Sequence, residues 1–228
     1  MKKRLCCFIL AFILIAICQA GCGKKDNGMK KVVLNEVAHS IFYDPQYVAI
    51  EMGYFKDAGI DLVLETGFGA DKTMTALISG NADIGFMGSE STIYAYAEGS
   101  KDYAVNFAGL TQRAGNFLVA REKIDNFSWD MVKGKNVLGG RKGGMPQMVL
   151  EYILKANNID PASDLSIDQS VDFGLTAGAF SGNTEYDFTV EFEPGATSLE
   201  KEGKGYVVAS LGVDSGYVPY TAYSAKKS

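Results

Sequence analysis

The sequence predicts an α/β fold in two lobes, and three observations predict it. From Lys31 onward, short runs rich in Val, Ile, Leu and Phe alternate with amphipathic helical stretches; the joins carry Gly, Asp, Asn or Pro; and the pattern turns polar after Ala120 before it resumes. Such alternation is the mark of a sheet built with crossover helices. The length, 228 residues, fits one domain or two small lobes.

Taken in order, residues 32–37 read as the first strand. Asp44-Pro45 opens a helix, because proline is tolerated in a first turn. Its apolar face uses Tyr47, Val48, Ile50 and Phe55, and it stops at Gly59. Residues 60–65 are a second strand. Gly67-Phe68-Gly69-Ala70-Asp71 then leads into a helix through Met74, Leu77 and Ile78, ending at Gly80 ahead of a third strand at 82–87. Gly88-Ser89-Glu90-Ser91 starts the next helix with Ser/Glu capping chemistry, and strands follow at 104–110 and 116–120.

Residues 121–135 are a polar connection, with a hinge placed at 120–125. Beyond it come a strand at 136–140 and a helix at 147–156 opened by Gly143-Gly144-Met145-Pro146. Strands near 165–170 and 188–192, a helix at 196–201 and a strand at 205–209 complete the second lobe. The lobes are thus placed at 31–120 and 121–210. Residues 211–228 begin a return into the first, a strand-like stretch at 217–225 on which the chain stops.

The N-terminus has a different character. Lys2, Lys3 and Arg4 precede an uncharged stretch from Leu5 to Cys18, about 14 residues, too short for the roughly 20 that span a bilayer as a helix. Small residues surround Cys22 in Gln19-Ala20-Gly21-Cys22-Gly23, and the segment resembles a bacterial lipobox with Gln19 in place of the usual Leu. The expectation is a signal peptide over 1–21, a lipidated tether over 22–30 and an acylated Cys22. More than one acyl chain there gives stable anchoring. Cys6, Cys7 and Cys18 fall before the cleavage point, so the mature chain holds no disulfide or thiol cluster. Removing the basic leader makes the chain more acidic than its −5 overall, which excludes nucleic acid as a partner.

The run from Tyr43 to Ile60 (Tyr-Asp-Pro-Gln-Tyr-Val-Ala-Ile-Glu-Met-Gly-Tyr-Phe-Lys-Asp-Ala-Gly-Ile), Leu77-Ile78-Ser79-Gly80-Asn81-Ala82-Asp83-Ile84-Gly85 and Glu191-Phe192-Glu193-Pro194 resemble periplasmic substrate-binding proteins. The group is the nitrate/sulfonate/taurine and thiamine-pyrimidine (NMT1/THI5-like) family. The resemblance implies a two-lobed, type II periplasmic-binding-protein fold from which the C-terminal part of the first lobe is missing. It implies capture of a small molecule between the lobes and delivery, by an extracytoplasmic monomer lipid-anchored to the bacterial membrane, to an ABC permease and its ATPase. Two other classes share the resemblance: an enzyme that makes the thiamine pyrimidine, and a tethered ligand sensor.

Ligands of open α/β sheets sit beyond the carboxyl ends of strands, which selects the candidate residues. After the first strand stand His39, Phe42 and Tyr43; the two aromatics either stack on a planar ring or form a core pair. Gly67, Gly69, Ala70 and Asp71 open a helix whose free N–H groups suit a polar or anionic group, or else only make and cap the turn. Ser89 and Glu90 repeat that geometry, with Glu90 either meeting an amino group or serving the helix dipole. Gln112 near the hinge, Arg141 and Gly144 in the second lobe, and Glu191 and Glu193 complete the set; for Arg141 a surface salt bridge competes, and for the two carboxylates plain exposure. Phe42, Tyr43, Glu90, Glu191 and Glu193 together favour a thiamine pyrimidine precursor or similar heterocycle over sulfonate, taurine or nitrate.

Catalysis is poorly supplied. His39 is the only histidine, so no Ser/His/Asp triad and no His/Cys metal site can be assembled in the mature chain. The cysteine-rich iron motif of the family's eukaryotic enzymes is absent, and no cofactor is expected. A dinucleotide fingerprint also fails, since Lys72 stands where the third glycine belongs.

Overall fold

The first sheet is assembled from β1 (Lys30–Glu36), β2 (Ile60–Thr66) and β3 (Ile84–Gly88), linked by α1 (Asp44–Glu51), α2 (Tyr54–Asp57) and α3 (Ala70–Ser79). α4 (Glu90–Ala97) and β4 (Ala104–Thr111) follow. In α3 the buried positions Thr73, Met74 and Leu77 share one face at helical spacing, and Gly80 ends the helix in the left-handed conformation that glycine adopts at least cost. The computed structural model describes residues 28–172 and 174–228, of which Lys31–Ser228 make one unit. The expected signal peptide and Cys22 lie outside the described residues.

The second sheet uses β5 (Asn116–Ala120), β6 (Asn136–Leu138), β7 (Ser166–Asp168), β8 (Phe188–Phe192) and β9 (Tyr206–Ser210). Helices α5 (Met145–Ala156), α6 (Thr176–Gly182) and α7 (Gly195–Lys201) connect them, and α8 (Leu211–Asp214) leads to β10 (Thr221–Lys226). Along α5 the buried pairs Val149, Leu150 and Ile153, Leu154 recur one turn apart and seat the helix on Val137, Phe188 and Val190. In the first lobe Leu34, Tyr43 and Phe86 form the corresponding centre, with Tyr223 of β10 stacked on Phe86 at 4.5 Å between ring centroids.

Strand order is β2-β1-β3-β10-β4 in one sheet and β7-β6-β8-β5-β9 in the other. β1 and β3 are parallel, with Leu34 opposite Ile84, and β10 runs antiparallel between β3 and β4, Ala222 facing Met87 and Gly109. The second sheet repeats the scheme: β6 is parallel to β7 and β8, and β5 lies antiparallel between β8 and β9, Leu118 facing Val190 and Ala209. Each sheet's reversed strand arrives directly from the other sheet. This is the two-lobed periplasmic-binding-protein architecture.

The chain therefore crosses twice, at 112–115 and between α8 and β10, and the crossings are tied together. The Val218 and Tyr220 N–H groups donate to the carbonyls of Gln112 and Thr111 at 3.0 and 3.2 Å, and Arg113 donates to the Gly212 carbonyl at 2.8 Å. Gly212 is needed for this approach: a Cβ there would stand 2.1 Å from the Ala114 carbonyl oxygen. The hinge expected at 120–125 is corrected by these pairings. The polarity change at Arg121 comes after β5, yet a strand belongs to the lobe whose strands it pairs with, and β5 pairs only with β8 and β9. Several helical elements also fall where none was expected, α8 and a turn at Ile41–Tyr43 among them. The turn Trp129–Val132 buries Trp129 and Val132, and α6, with glycines at 178 and 182, is held by burial of Thr176 and Phe180 rather than by propensity.

Candidate functional site

Loops at the carboxyl ends of both sheets enclose a cleft of about 1280 Å³. From the first lobe it is lined by the segments after β1, β2 and β3 and by Tyr220 and Thr221; from the second by residues 140–146 and by the end of β8. Ten of the fourteen candidate ligand residues border it: His39, Tyr43, Gly69, Ala70 and Asp71, then Glu90, Arg141, Gly144, Glu191 and Glu193.

Beneath His39 lies a buried carboxylate that the sequence reading passed over. Glu36, at the last position of β1, is 0% exposed and accepts from four groups: His39 Nδ1 at 2.9 Å and Thr66 Oγ1 at 3.1 Å on one oxygen, Gln46 Nε2 at 3.0 Å and Tyr47 Oη at 2.8 Å on the other. The His39 ring rests against Tyr47, 4.4 Å between centroids. The signal was available as two consecutive polar residues, Asn35 and Glu36, inside an otherwise apolar strand.

Glu90 opens α4 with its carboxyl folded back over Gly88, where a Cβ would come within 2.2 Å of Oε2. It is 3% exposed, and neither oxygen has a hydrogen-bond partner among the described residues. Burial pushes this carboxyl up to about 7, opposed by the backbone amides of Glu90 itself and of Met145. Tyr220 and Thr221, absent from the sequence expectations, bring a further phenol and hydroxyl, both buried and both without a partner. Burial also raises the Tyr43 and Tyr220 phenols, so both stay neutral at ordinary pH.

Glu191 faces the same cleft from β8. Its oxygens accept from Thr176 Oγ1 at 2.9 Å and Thr189 Oγ1 at 2.7 Å, and burial lifts it to about 7 against those two bonds. Glu193 is spent differently: both oxygens accept from Thr197, backbone N–H at 3.1 Å and hydroxyl at 2.9 Å, fixing the start of α7.

Across the cleft mouth, Arg141 reaches from the loop after β6 to Asp71 at the start of α3. Its two terminal nitrogens stand 2.9 and 3.0 Å from the two Asp71 oxygens, and Nε stands 3.5 Å from Asp172. Gly69, at φ 154°, makes room: a Cβ there would lie 2.0 Å from an Arg141 nitrogen. The opening of α3 is thus occupied by the chain's own ion pair rather than left for an anion.

Four candidates are not at the cleft wall. Phe42 is a core aromatic at the crossing, 5.5 and 5.7 Å from Phe192 and Tyr220 and packed against Gly115, so of the aromatic pair only Tyr43 borders the cleft. Gly67 serves packing, since a Cβ would meet Asn35 and Thr73 oxygens at 2.6 Å. The Ser89 hydroxyl donates to the Pro219 carbonyl and ties β3 to the second crossing. Gln112 is exposed, its carbonyl taken by Val218. Strand-end position was visible in the sequence, but which side of each turn faces inward was not.

Among the described residues no group of three or more His, Cys, Asp or Glu is placed to hold a metal, and no helix is long and apolar enough to cross a membrane.

Comparison with known proteins follows the same lines. Residues 43–205 match the family model described as NMT1/THI5 like. YtlA of Bacillus subtilis (strain 168), which carries the name of a binding protein, is 50% identical over 217 residues, 95% of this chain and 64% of YtlA. This chain therefore spans less than two thirds of that relative's length. Among solved structures, the alkanesulfonate-binding protein SsuA from Xanthomonas axonopodis pv. citri aligns with a TM-score of 0.66 at 16% identity, over 88% of this chain and 66% of SsuA. The periplasmic nitrate-binding protein NrtA from Synechocystis PCC 6803 aligns with a TM-score of 0.67 at 17% identity, over 87% of this chain and 56% of NrtA. At such identities the likeness speaks for the fold.

Proposed function

The chain belongs to the NMT1/THI5-like family, and from that premise we propose that it is an extracytoplasmic solute-binding lipoprotein. It captures a small amino-bearing planar heterocycle, of the thiamine pyrimidine precursor kind, and hands it to an ABC import permease driven by its ATPase. Cys22 carries the lipid that keeps the capture domain at the membrane. Its work is binding and lobe closure, not catalysis.

One observation carries the choice of ligand: a buried carboxyl from each lobe, Glu90 and Glu191, borders the same cleft. Acceptors on both walls suit a ligand rich in N–H donors, whereas a sulfonate or nitrate would meet like charge as the two carboxyls ionise. Tyr43 and Phe192 add flat apolar lining for a ring. Of the two cations that border the cleft, Arg141 and Lys142, Arg141 is engaged with Asp71.

A thermal-shift screen tests this reading. The chain is melted with aminopyrimidines, thiamine, riboflavin, taurine, alkyl sulfonates and nitrate. The cognate ligand at about 100 times its Kd adds roughly 2.7 kcal/mol of stability. Shifts confined to taurine, sulfonates or nitrate would overturn the heterocycle assignment. For the anchor, mass spectrometry of the mature N-terminus is expected to find a diacylglyceryl group on Cys22, and Cys22→Ser to release the chain from membranes.

A further inference from the structure

Three buried side chains in the cleft share an unusual condition. Glu90, Tyr220 and Thr221 are 3%, 2% and 1% exposed. Both Glu90 oxygens, the Tyr220 phenol and the Thr221 hydroxyl have no hydrogen-bond partner among the described residues, and all three residues border the cleft. Buried polar atoms are nearly always partnered, and a concentration of orphans on one wall marks the place where another molecule completes the bonding. They lie close together, and the Glu90 carboxyl raises the Tyr43 and Tyr220 phenols.

Resting on the small-molecule capture reading above, we propose that Glu90, Tyr220 and Thr221 form a subsite for a primary ammonium group on the ligand. An ammonium offers three N–H donors and one positive charge. The wall offers three acceptor side chains from two elements, the start of α4 and the approach to β10, one of them a carboxyl. A hydroxyl on the ligand would satisfy one of them and leave the charge of Glu90 unpaired.

The surroundings fit the same group. Gly88 leaves the space in which the Glu90 carboxyl folds. Tyr43 and Tyr220 also border the cleft, and aromatic rings are groups that attract cations. The backbone amide of Met145, at the first turn of α5, acts on Glu90 from the opposite lobe and favours its charged form. Burial alone lifts this carboxyl to about 7, the behaviour of a charge that lacks its counter-ion.

The test is calorimetry on the full-length chain with two matched series. One is an aminopyrimidine carrying a –CH2NH3⁺, –CH2OH or –CH3 arm. The other is benzylamine against benzyl alcohol and N,N,N-trimethylbenzylammonium, which keeps the charge and has no N–H. The expected result is a preference of about tenfold or more for the primary amine, over the uncharged arms and over the trimethyl compound. Glu90→Gln should bring that preference down to about twofold, with an unchanged far-UV circular dichroism spectrum and a cooperative melt reporting that the variant is folded; Tyr220→Phe should lower it by about threefold.

Equal binding across the arms, or a preference that survives in Glu90→Gln, overturns the subsite. If the aminopyrimidines bind without regard to the arm, the subsite falls and the heterocycle reading stands. If no pyrimidine binds but benzylamine shows the Glu90-dependent preference, the heterocycle falls and the subsite stands.

Discussion

His39 Nδ1 stands 2.9 Å from Glu36 Oε1, joining a ring that is 66% exposed at the cleft to a carboxylate that is fully buried. Four groups converge on the two Glu36 oxygens, which can only accept from them, so Nδ1 carries the hydrogen and Nε2 is the ring atom left for the cleft. His39 thereby offers an acceptor in a fixed orientation, in keeping with the acceptors of Glu90 and Glu191.

Glu36→Gln should therefore act on both stability and the site. A carboxamide turns an NH2 toward at least one of the donors it now receives, and the loss is expected at about 3 kcal/mol. Urea unfolding measures it, with His39→Ala, which removes one of the four donors, expected to cost less, about 1 kcal/mol. A Glu36→Gln chain as stable as the parent would mean that the network does not hold the strand end.

Arg141→Ala removes the two-pronged contact to Asp71. Both side chains are partly exposed, so the pair is worth on the order of 1 kcal/mol and is weakened by salt. The expected outcome is faster ligand release, about five-fold in koff by stopped flow, with the melting temperature nearly unchanged. Gly69→Ala should reproduce it, because the new methyl occupies the place of the guanidinium. A koff unchanged in both variants would show that the pair plays no part in closure.

Acidity should affect the ligand-free chain in a defined direction. Glu90 and Glu191 are raised by burial from 4.5 to about 7, so the folded chain holds protons that the unfolded chain gives up between those values. Their contribution is fully present below about pH 4.5 and is lost as pH rises through about 7, at most roughly 3 kcal/mol for each group. Denaturant midpoints at pH 5.5 and 7.5 should fall with rising pH in the parent and much less in the Glu90→Gln, Glu191→Gln double variant. A parallel fall in both would assign the dependence to other groups.

Gly212→Ala probes the crossings. Its Cβ would press on backbone, the Ala114 carbonyl, rather than on a movable side-chain end, so the two crossings must part. A loss of about 2 kcal/mol is expected by urea unfolding. A neutral substitution would show that the crossings can separate freely.

Much of the fold was legible in the residues. Period-2 and period-3.6 patterning located nearly every strand and the helices α1, α3, α4, α5 and α7, because in those segments local pattern and burial agree. The hinge was misplaced because strand partnership is a long-range property: nothing near Arg121 tells that β5 pairs with β8, some 70 residues on. α6 was missed because glycines 178 and 182 weaken the local signal, and burial of Phe180 in the finished lobe overrides it. At the site, Glu90 and Glu191 were visible as acids at strand ends. Glu36 showed only as a polar break in an apolar strand, and Tyr220 not at all, since the role of each depends on which groups the fold brings to it.

The placement of β10 bears on the order of assembly. Everything from β5 to β9 is one uninterrupted stretch that finds all its sheet partners within itself, so the second lobe can fold as soon as that stretch has been made. The first lobe cannot. β3 and β4 are not neighbours in its sheet; the slot between them is filled only by β10, which emerges more than 100 residues after β4. Until then two strands display unpaired backbone to whatever lies nearby. The half of the cleft containing Glu90, Tyr220 and Thr221 therefore forms after the half from the second lobe, and a nascent chain gains both walls of the cleft only once β10 is in place.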